Sequence, residues 1–185
     1  MRTMKVGGFM LLFCLMAACQ RYDVIPEKLE KQVARDVTYE QIKDAPSRYS
    51  GQLVVVGGQV LSTKRLDERT RIEVLQLPLN DDLIPVNERA RSNGRFIADD
   101  RGQEAGKAGL DPAIVKEGTP VTIVGEVVGQ ITVKIDESEQ QVPQLRIADI
   151  TVWDQQRWER DYAHYRPYGG YPYWGAYPYH YGYVY

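Results

Sequence analysis

The chain has two cysteines and two histidines in 185 residues, and where they stand limits the chemistry open to it. Cys14 lies inside an apolar N-terminal run and Cys19 closes that run, while His164 and His180 lie near the C-terminus. The long stretch between them has neither a thiol nor an imidazole, so a Ser-His-Asp or Cys-His arrangement is excluded there. Zinc-type ligand spacing is absent as well. Only three phenylalanines occur, and Phe96 alone falls beyond the N-terminal run. Excess positive charge is also missing: 23 basic against 25 acidic residues disfavour non-specific binding to nucleic acid. After the first twenty residues, no apolar stretch is long enough to span a bilayer.

The N-terminus is the most informative segment. Arg2 and Lys5 form a positive n-region, and Val6 to Ala18 form a short apolar h-region interrupted by Gly7-Gly8. Leu15-Met16-Ala17-Ala18-Cys19 then resembles a bacterial lipobox, with Met16 at the position usually held by leucine. Small residues suit a peptidase groove beside the scissile bond, and a thiolate is the nucleophile that thioether formation requires. The expectation is a signal peptide over 1–18 and a mature chain beginning at a lipidated Cys19. Two alternatives stand beside it: a secretory signal cut elsewhere, and an uncleaved helical anchor. The first lacks an A-x-A-like site, and the second is short for a span. Acyl chains contribute about 0.8 kcal/mol per buried methylene, so two or more anchor stably. Gln20 stands where lipoproteins retained at the inner membrane commonly carry aspartate, which favours the outer membrane.

Without Arg2 and Lys5, 21 basic face 25 acidic residues, a mildly acidic balance. One compact domain is expected at this length. Residues 19–36 are polar and contain Pro26, so they read as the lipidated N-terminus and tether, with a brief helix over Glu27 to Ala34 as an option. The folded domain is placed at 37–153. It opens with Thr38-Tyr39-Glu40-Gln41, a capping box, with Val37 and Ile42 at hydrophobic-staple positions. Pro46 ends that helix early. Strands follow over Leu53–Leu61, Thr70–Leu77, Gly94–Ala98, Thr119–Val128, Ile131–Ile135 and Leu145–Trp153. Lys64 to Arg69 joins the first two, Gly129-Gln130 turns the fourth into the fifth, and Asp111-Pro112 opens a single helical turn. Gly57-Gly58 and Gly125 inside strands point to sharp bends. The fold class is mainly β: a small antiparallel barrel, compatible with an OB-like fold, with a short N-terminal helix.

Tyrosines crowd the end. Ten of the thirteen lie between Tyr162 and Tyr185, interleaved with Gly and Pro. Residues 154–185 therefore read as a low-complexity tail that need not pack a core. Its roles range from none, through self-association or binding of an envelope protein or cell-wall glycan, to weak metal binding by His164 and His180. Trp153, Trp158 and Trp174 also suit a membrane interface.

From Thr38 to Trp153 the chain resembles the Slp family of Gram-negative outer-membrane lipoproteins. The resemblance is carried by Thr38-Tyr39-Glu40-Gln41, Pro46, Tyr49-Ser50-Gly51 and Val56-Gly57-Gly58-Gln59-Val60. It continues through Glu73-Val74-Leu75-Gln76-Leu77-Pro78-Leu79, Gly94-Arg95-Phe96, Leu110-Asp111-Pro112-Ala113 and Val121-Thr122-Ile123-Val124-Gly125-Glu126-Val127. It implies an outer-membrane lipoprotein associated with starvation, and it brings no catalytic residues with it.

Within the domain, Asp81-Asp82 and Asp99-Asp100 are paired acids in expected loops, where solvated side chains are commoner than calcium ligands or hydrolase acids. Phe96 and Trp153 are stacking platforms or, more commonly, core and cap residues. Arg89, Arg91 and Arg95 form a small basic cluster or a solvated face. The expected function is a non-catalytic structural or interaction role in the envelope. The alternative is a periplasm-facing module for a glycan or small envelope ligand. Cys19 is the one site residue, bearing a covalent lipid. No metal, other cofactor or nucleic-acid partner is expected, and ligand-binding residues and oligomeric state stay open.

Overall fold

The structure is a computed structural model that describes residues 24–102, 110–135 and 137–164, with side chains described as far as Arg160. Cys19, Trp174, His180 and most of the tyrosine-rich tail lie outside the described residues. Five strands run β1 Leu53–Leu66, β2 Arg69–Leu77, β3 Arg95–Asp100, β4 Pro120–Ile135 and β5 Ser138–Val152. They close into a barrel in the order β1-β2-β3-β5-β4, which is the OB-like order. Every pairing is antiparallel except β3 with β5, a parallel seam of three residue pairs from Ile97↔Gln144 to Asp99↔Arg146.

The double glycine explains how the barrel closes. Gly57, Gly58 and Gln59 pair with Leu77, Gln76 and Leu75 of β2 on one side. The same three residues pair with Thr122, Val121 and Pro120 of β4 on the other. One strand must therefore bend while serving both halves of the sheet. A Cβ on Gly58 would collide with the Leu75 carbonyl oxygen and the Val74 side chain. Only hydrogen fits at this approach. Beyond the bend, Leu61 is an extra residue between Val60↔Val74 and Ser62↔Glu73, a bulge that adds twist.

Alternation along the strands fills the interior with Val54, Val56, Val60, Ile72, Val74, Phe96, Ala98, Val121, Ile123, Val127 and Leu145. Helix α2, Tyr39–Asp44, contributes to this core through Tyr39 and Ile42. Its capping box forms as the sequence predicts: the Gln41 N–H donates to Thr38 Oγ1 at 3.4 Å and the Thr38 N–H to Gln41 Oε1 at 2.9 Å. Tyr39 meets Phe96 ring to ring at 6.1 Å, and its hydroxyl donates to the Arg95 carbonyl at 2.7 Å. Burial, with a smaller push from Glu40, holds that phenol far above its ordinary range.

Several expectations need correction. Strand β1 continues through Lys64 and Arg65, leaving Asp67-Glu68 as the turn into β2. Ile131–Ile135 is not a separate strand: β4 passes straight through Gly129-Gln130, and Val128 is absorbed as a bulge. Strand β5 begins at Ser138, so β4 and β5 project from the barrel as a two-stranded arm. Asp99 and Asp100 lie in β3 rather than in a loop. The N-terminal segment is not a free tether from Val24 onward. Val24 and Ile25 are 4% and 8% exposed, α1 spans Glu27–Glu30, and Val33 bridges to Leu53. Finally, the start of the tail is helical, as α3, Gln155–His164.

Candidate functional site

Alternation on β2, β3 and β5 turns a second set of residues outward, and these form a dense polar site on the barrel. Arg69, Arg71 and Glu73 share one face of β2, Arg95 and Asp99 the same face of β3, and Gln144 and Arg146 that of β5. Arg71 stands directly across from Asp99 in the ladder. Its Nε donates to Asp99 Oδ1 at 2.7 Å and its Nη2 to Oδ2 at 2.9 Å, a bidentate fork. Gln144 Nε2 donates to the same Oδ2 at 2.8 Å from across the parallel seam, and Arg69 Nε stands 3.8 Å away.

Burial alone would raise the Asp99 carboxyl. The Arg71 fork, the Gln144 amide and the charges of Arg71 and Arg69 outweigh it, so the group is held below the usual aspartate range. Asp99 correspondingly raises Arg71. With both oxygens occupied and the proton disfavoured, Asp99 is poorly disposed to take up a proton near neutral pH. Its geometry does something else: one carboxylate links β2, β3 and β5 across the three-pair seam that closes the barrel.

Neighbouring charges are paired in the same manner. Arg95 Nη1 donates to Glu73 Oε1 at 2.9 Å, and Arg146 Nη1 to Glu126 Oε2 at 3.0 Å. The expected basic cluster of Arg89, Arg91 and Arg95 is dispersed among separate partners. Arg89 donates to Gln59 at 3.0 Å, Arg91 lies 3.8 Å from Glu88, and Arg95 faces Glu73. The paired acids also separate in role. Asp100 accepts from the Gly102 and Leu110 N–H groups, at 3.0 and 2.6 Å.

The aromatic candidates turn out to be architectural. Phe96 is fully buried. The Trp153 indole donates to Thr122 Oγ1 at 3.0 Å, and the Thr122 hydroxyl donates to the Leu83 carbonyl at 2.6 Å. Trp158 is 6% exposed, and its indole donates to the Pro85 carbonyl at 2.6 Å. Together they stitch the 78–94 loop to the barrel, so Trp158 does not lie at a membrane interface. Open clefts also mark the surface of the described residues. One, of about 570 Å³, runs between Ile114, Lys116, Thr119 and Val152–Gln156, with Trp153 in its wall. Another, of about 340 Å³, is lined by Asp36, Val37, Gln41, Arg48, Tyr49 and Gln52.

With this geometry in place, likeness to known proteins supplies the lineage. The profile described as "Outer membrane lipoprotein Slp family" matches residues 16–181, which takes in Cys19, the whole barrel and most of the tail. The chain belongs to the Slp family of outer membrane lipoproteins. Among curated relatives, an uncharacterized protein of Haemophilus influenzae is 27% identical over 128 residues, covering 69% of this chain and 66% of its own length. The uncharacterized lipoprotein YeaY of Escherichia coli is 28% identical over 113 residues, covering 61% of this chain and 54% of its own. The chain thus spans between half and two thirds of these curated relatives. Among solved structures, a small single-stranded DNA-binding protein from Streptomyces coelicolor aligns with TM-score 0.36 and 14% identity over 57% of this chain and 95% of that one. A Plasmodium falciparum SSB aligns with TM-score 0.33 and 12% identity over 55% of this chain and 94% of that one. The OB-like assignment of this Slp barrel rests on its own strand order.

Proposed function

We propose that this Slp-family protein is anchored in the outer membrane by lipid on Cys19. In this reading it serves a non-catalytic structural or interaction role, with its barrel on the periplasmic side. The observation that carries the anchor is the family match beginning at residue 16, which includes Met16-Ala17-Ala18-Cys19. The non-catalytic role is supported by the outer face of β2, β3 and β5. There the best-built carboxylate is committed to Arg71 and Gln144, and the neighbouring charges neutralise one another. An association with starvation or slow growth is supported by resemblance to the family alone. The same pairing argues against a nucleic-acid partner, which would need a basic groove with stacking aromatics.

The anchor is tested by mass spectrometry of the mature N-terminus together with membrane fractionation of Cys19→Ser. A diacylglyceryl mass on Cys19, and loss of membrane association in the variant, are expected. A variant that still fractionates with the outer membrane refutes the anchor. The role is tested by cross-linking in intact envelopes. Capture of a discrete partner that disappears with Cys19→Ser is expected.

A second reading is favoured by the cleft beside Trp153, where Ile114 is 61% exposed and Val152 forms part of the wall. An aromatic wall beside polar Gln155 and Gln156 suits a sugar ring. Chemical-shift changes confined to Trp153 and Ile114 on adding peptidoglycan fragments would favour this glycan-binding role.

A further inference from the structure

The docked N-terminal segment limits how far the barrel can stand from its anchor. Val24 and Ile25 are buried, α1 follows at Glu27–Glu30, and the segment is fastened again where the Ala34 N–H donates to the Leu53 carbonyl at 2.8 Å. Val33 pairs in parallel with Leu53 at the same place. Between Cys19 and Val24 there are only Gln20, Arg21, Tyr22 and Asp23.

We propose that the barrel rides directly against the lipid headgroups, on a leash too short to let it turn freely or reach away from the surface. The inference rests on lipidation of Cys19, as proposed above. Five backbone steps separate Cys19 from Val24, and even a fully extended chain covers them in about 17 Å. Had the fold begun at Val37, the same arithmetic would allow about 60 Å. A domain of roughly 140 residues has a radius of gyration near 14 Å, so it is about 35 Å across. The short leash is less than that diameter and the long one exceeds it, which decides between a domain held at the surface and one that diffuses above it. The segment that meets the leash carries exposed Glu27, Lys28, Glu30 and Lys31. Alternating charges of this kind suit a polar headgroup layer. The partner of this surface is therefore the lipid headgroup plane.

The test uses the full lipidated chain in vesicles of phosphatidylethanolamine and phosphatidylglycerol carrying acceptor-labelled headgroups. A donor fluorophore is placed on the barrel through Asp67→Cys, at the exposed β1–β2 turn. Inserting about fifteen Gly/Ser residues between Gln20 and Arg21 adds a flexible reach of roughly 20 Å, and energy transfer is expected to fall about twofold. Replacing Val24 and Ile25 together with serine releases the docked segment, and transfer is expected to fall in the same direction. Unchanged transfer with the insertion, which leaves the folded domain untouched, overturns the proposal. So does unchanged transfer with the serine pair. Flotation and the N-terminal mass are read on the same samples. A chain that floats yet ignores the insertion sinks only the short leash, whereas a chain that neither floats nor carries the lipid mass sinks the anchor and the leash together.

Discussion

Replacing Asp99 with alanine removes the carboxylate that holds three strands together. The side chain is 7% exposed and accepts three hydrogen bonds, two from Arg71 and one from Gln144. Removing one partner of a buried ion pair costs about 3–5 kcal/mol, chiefly because the other charge is left uncompensated. Here the stranded partner is less trapped: the Arg71 side chain is 21% exposed and that of Arg69 39%, although the Arg69 Nε that faces Asp99 is itself buried. That lowers the expected loss to about 2–4 kcal/mol, still a large fraction of the stability of a small domain. The measurement is urea unfolding of a non-lipidated chain carrying Cys19→Ser, combined with a double-mutant cycle on Arg71→Ala and Asp99→Ala. A coupling of about 1.5–3 kcal/mol is expected for a charge-assisted bidentate pair. The pH dependence follows from the direction of the shift. The folded-state carboxyl titrates below its unfolded value of about 3.9, so the unfolded chain binds more protons in the interval between the two. The contribution of Asp99 is therefore complete above about pH 5 and is lost as pH falls through the folded-state value. Asp99→Asn should accordingly show a flatter loss of stability below about pH 4. A loss under about 1 kcal/mol in Asp99→Ala, or a cycle with no coupling, would refute the role given to the seam.

Gly58→Ala places a methyl group against the Leu75 carbonyl oxygen, which cannot rotate away as a side chain would. A loss of about 1–3 kcal/mol by thermal or urea unfolding is expected, and a neutral result would show that β1 need not bend so closely there. Trp158→Ala removes a buried indole and its bond to Pro85, for about 3–5 kcal/mol in the same assay. Truncation after His164 should leave that stability intact, whereas truncation after Trp153 should lower it as much as Trp158→Ala does. Equal stability of the two truncations would contradict the placement of α3 in the folded unit. Thr38→Ala breaks the capping box and should cost about 1 kcal/mol, with Gln41→Ala non-additive to it in a double-mutant cycle.

What was legible in the sequence was local and patterned. The capping box at Thr38, the bend at Gly57-Gly58 and the alternation of β2 each follow from backbone chemistry or period-2 burial, and each leads to the barrel. The arm was hidden because Gly129-Gln130 has the composition of a turn, yet both residues pair with β5 and the irregularity is taken up by a bulge at Val128. Likewise Ser138 to Gln141 has weak strand propensity and opens β5 only because β4 is there to pair with it. Helix α3 did leave a signal: Asp154 is its cap, its carboxylate accepting from the Arg157 N–H at 2.7 Å. The abundance of tyrosine downstream obscured that cap. Val24 and Ile25 left none, since two apolar residues before a proline have no period. The Asp99 site was half legible. The acids were visible as a pair, but Arg71 and Gln144 lie 28 and 45 residues away and only the register brings them in.

Closing a sheet into a barrel removes its edges, and the β4–β5 arm restores two of them. Past Gly129 on one strand and before Gln144 on the other, the described pairings join the two strands only to each other. Such a ribbon invites recruitment by a like strand, and proteins confined to a membrane plane meet their own copies often. The arm carries its own deterrents: Pro143 withholds a donor, and Lys134 stands opposite Glu139 near the tip. Crowding on a bilayer favours sheets that grow from molecule to molecule, and these few residues oppose such growth along the arm.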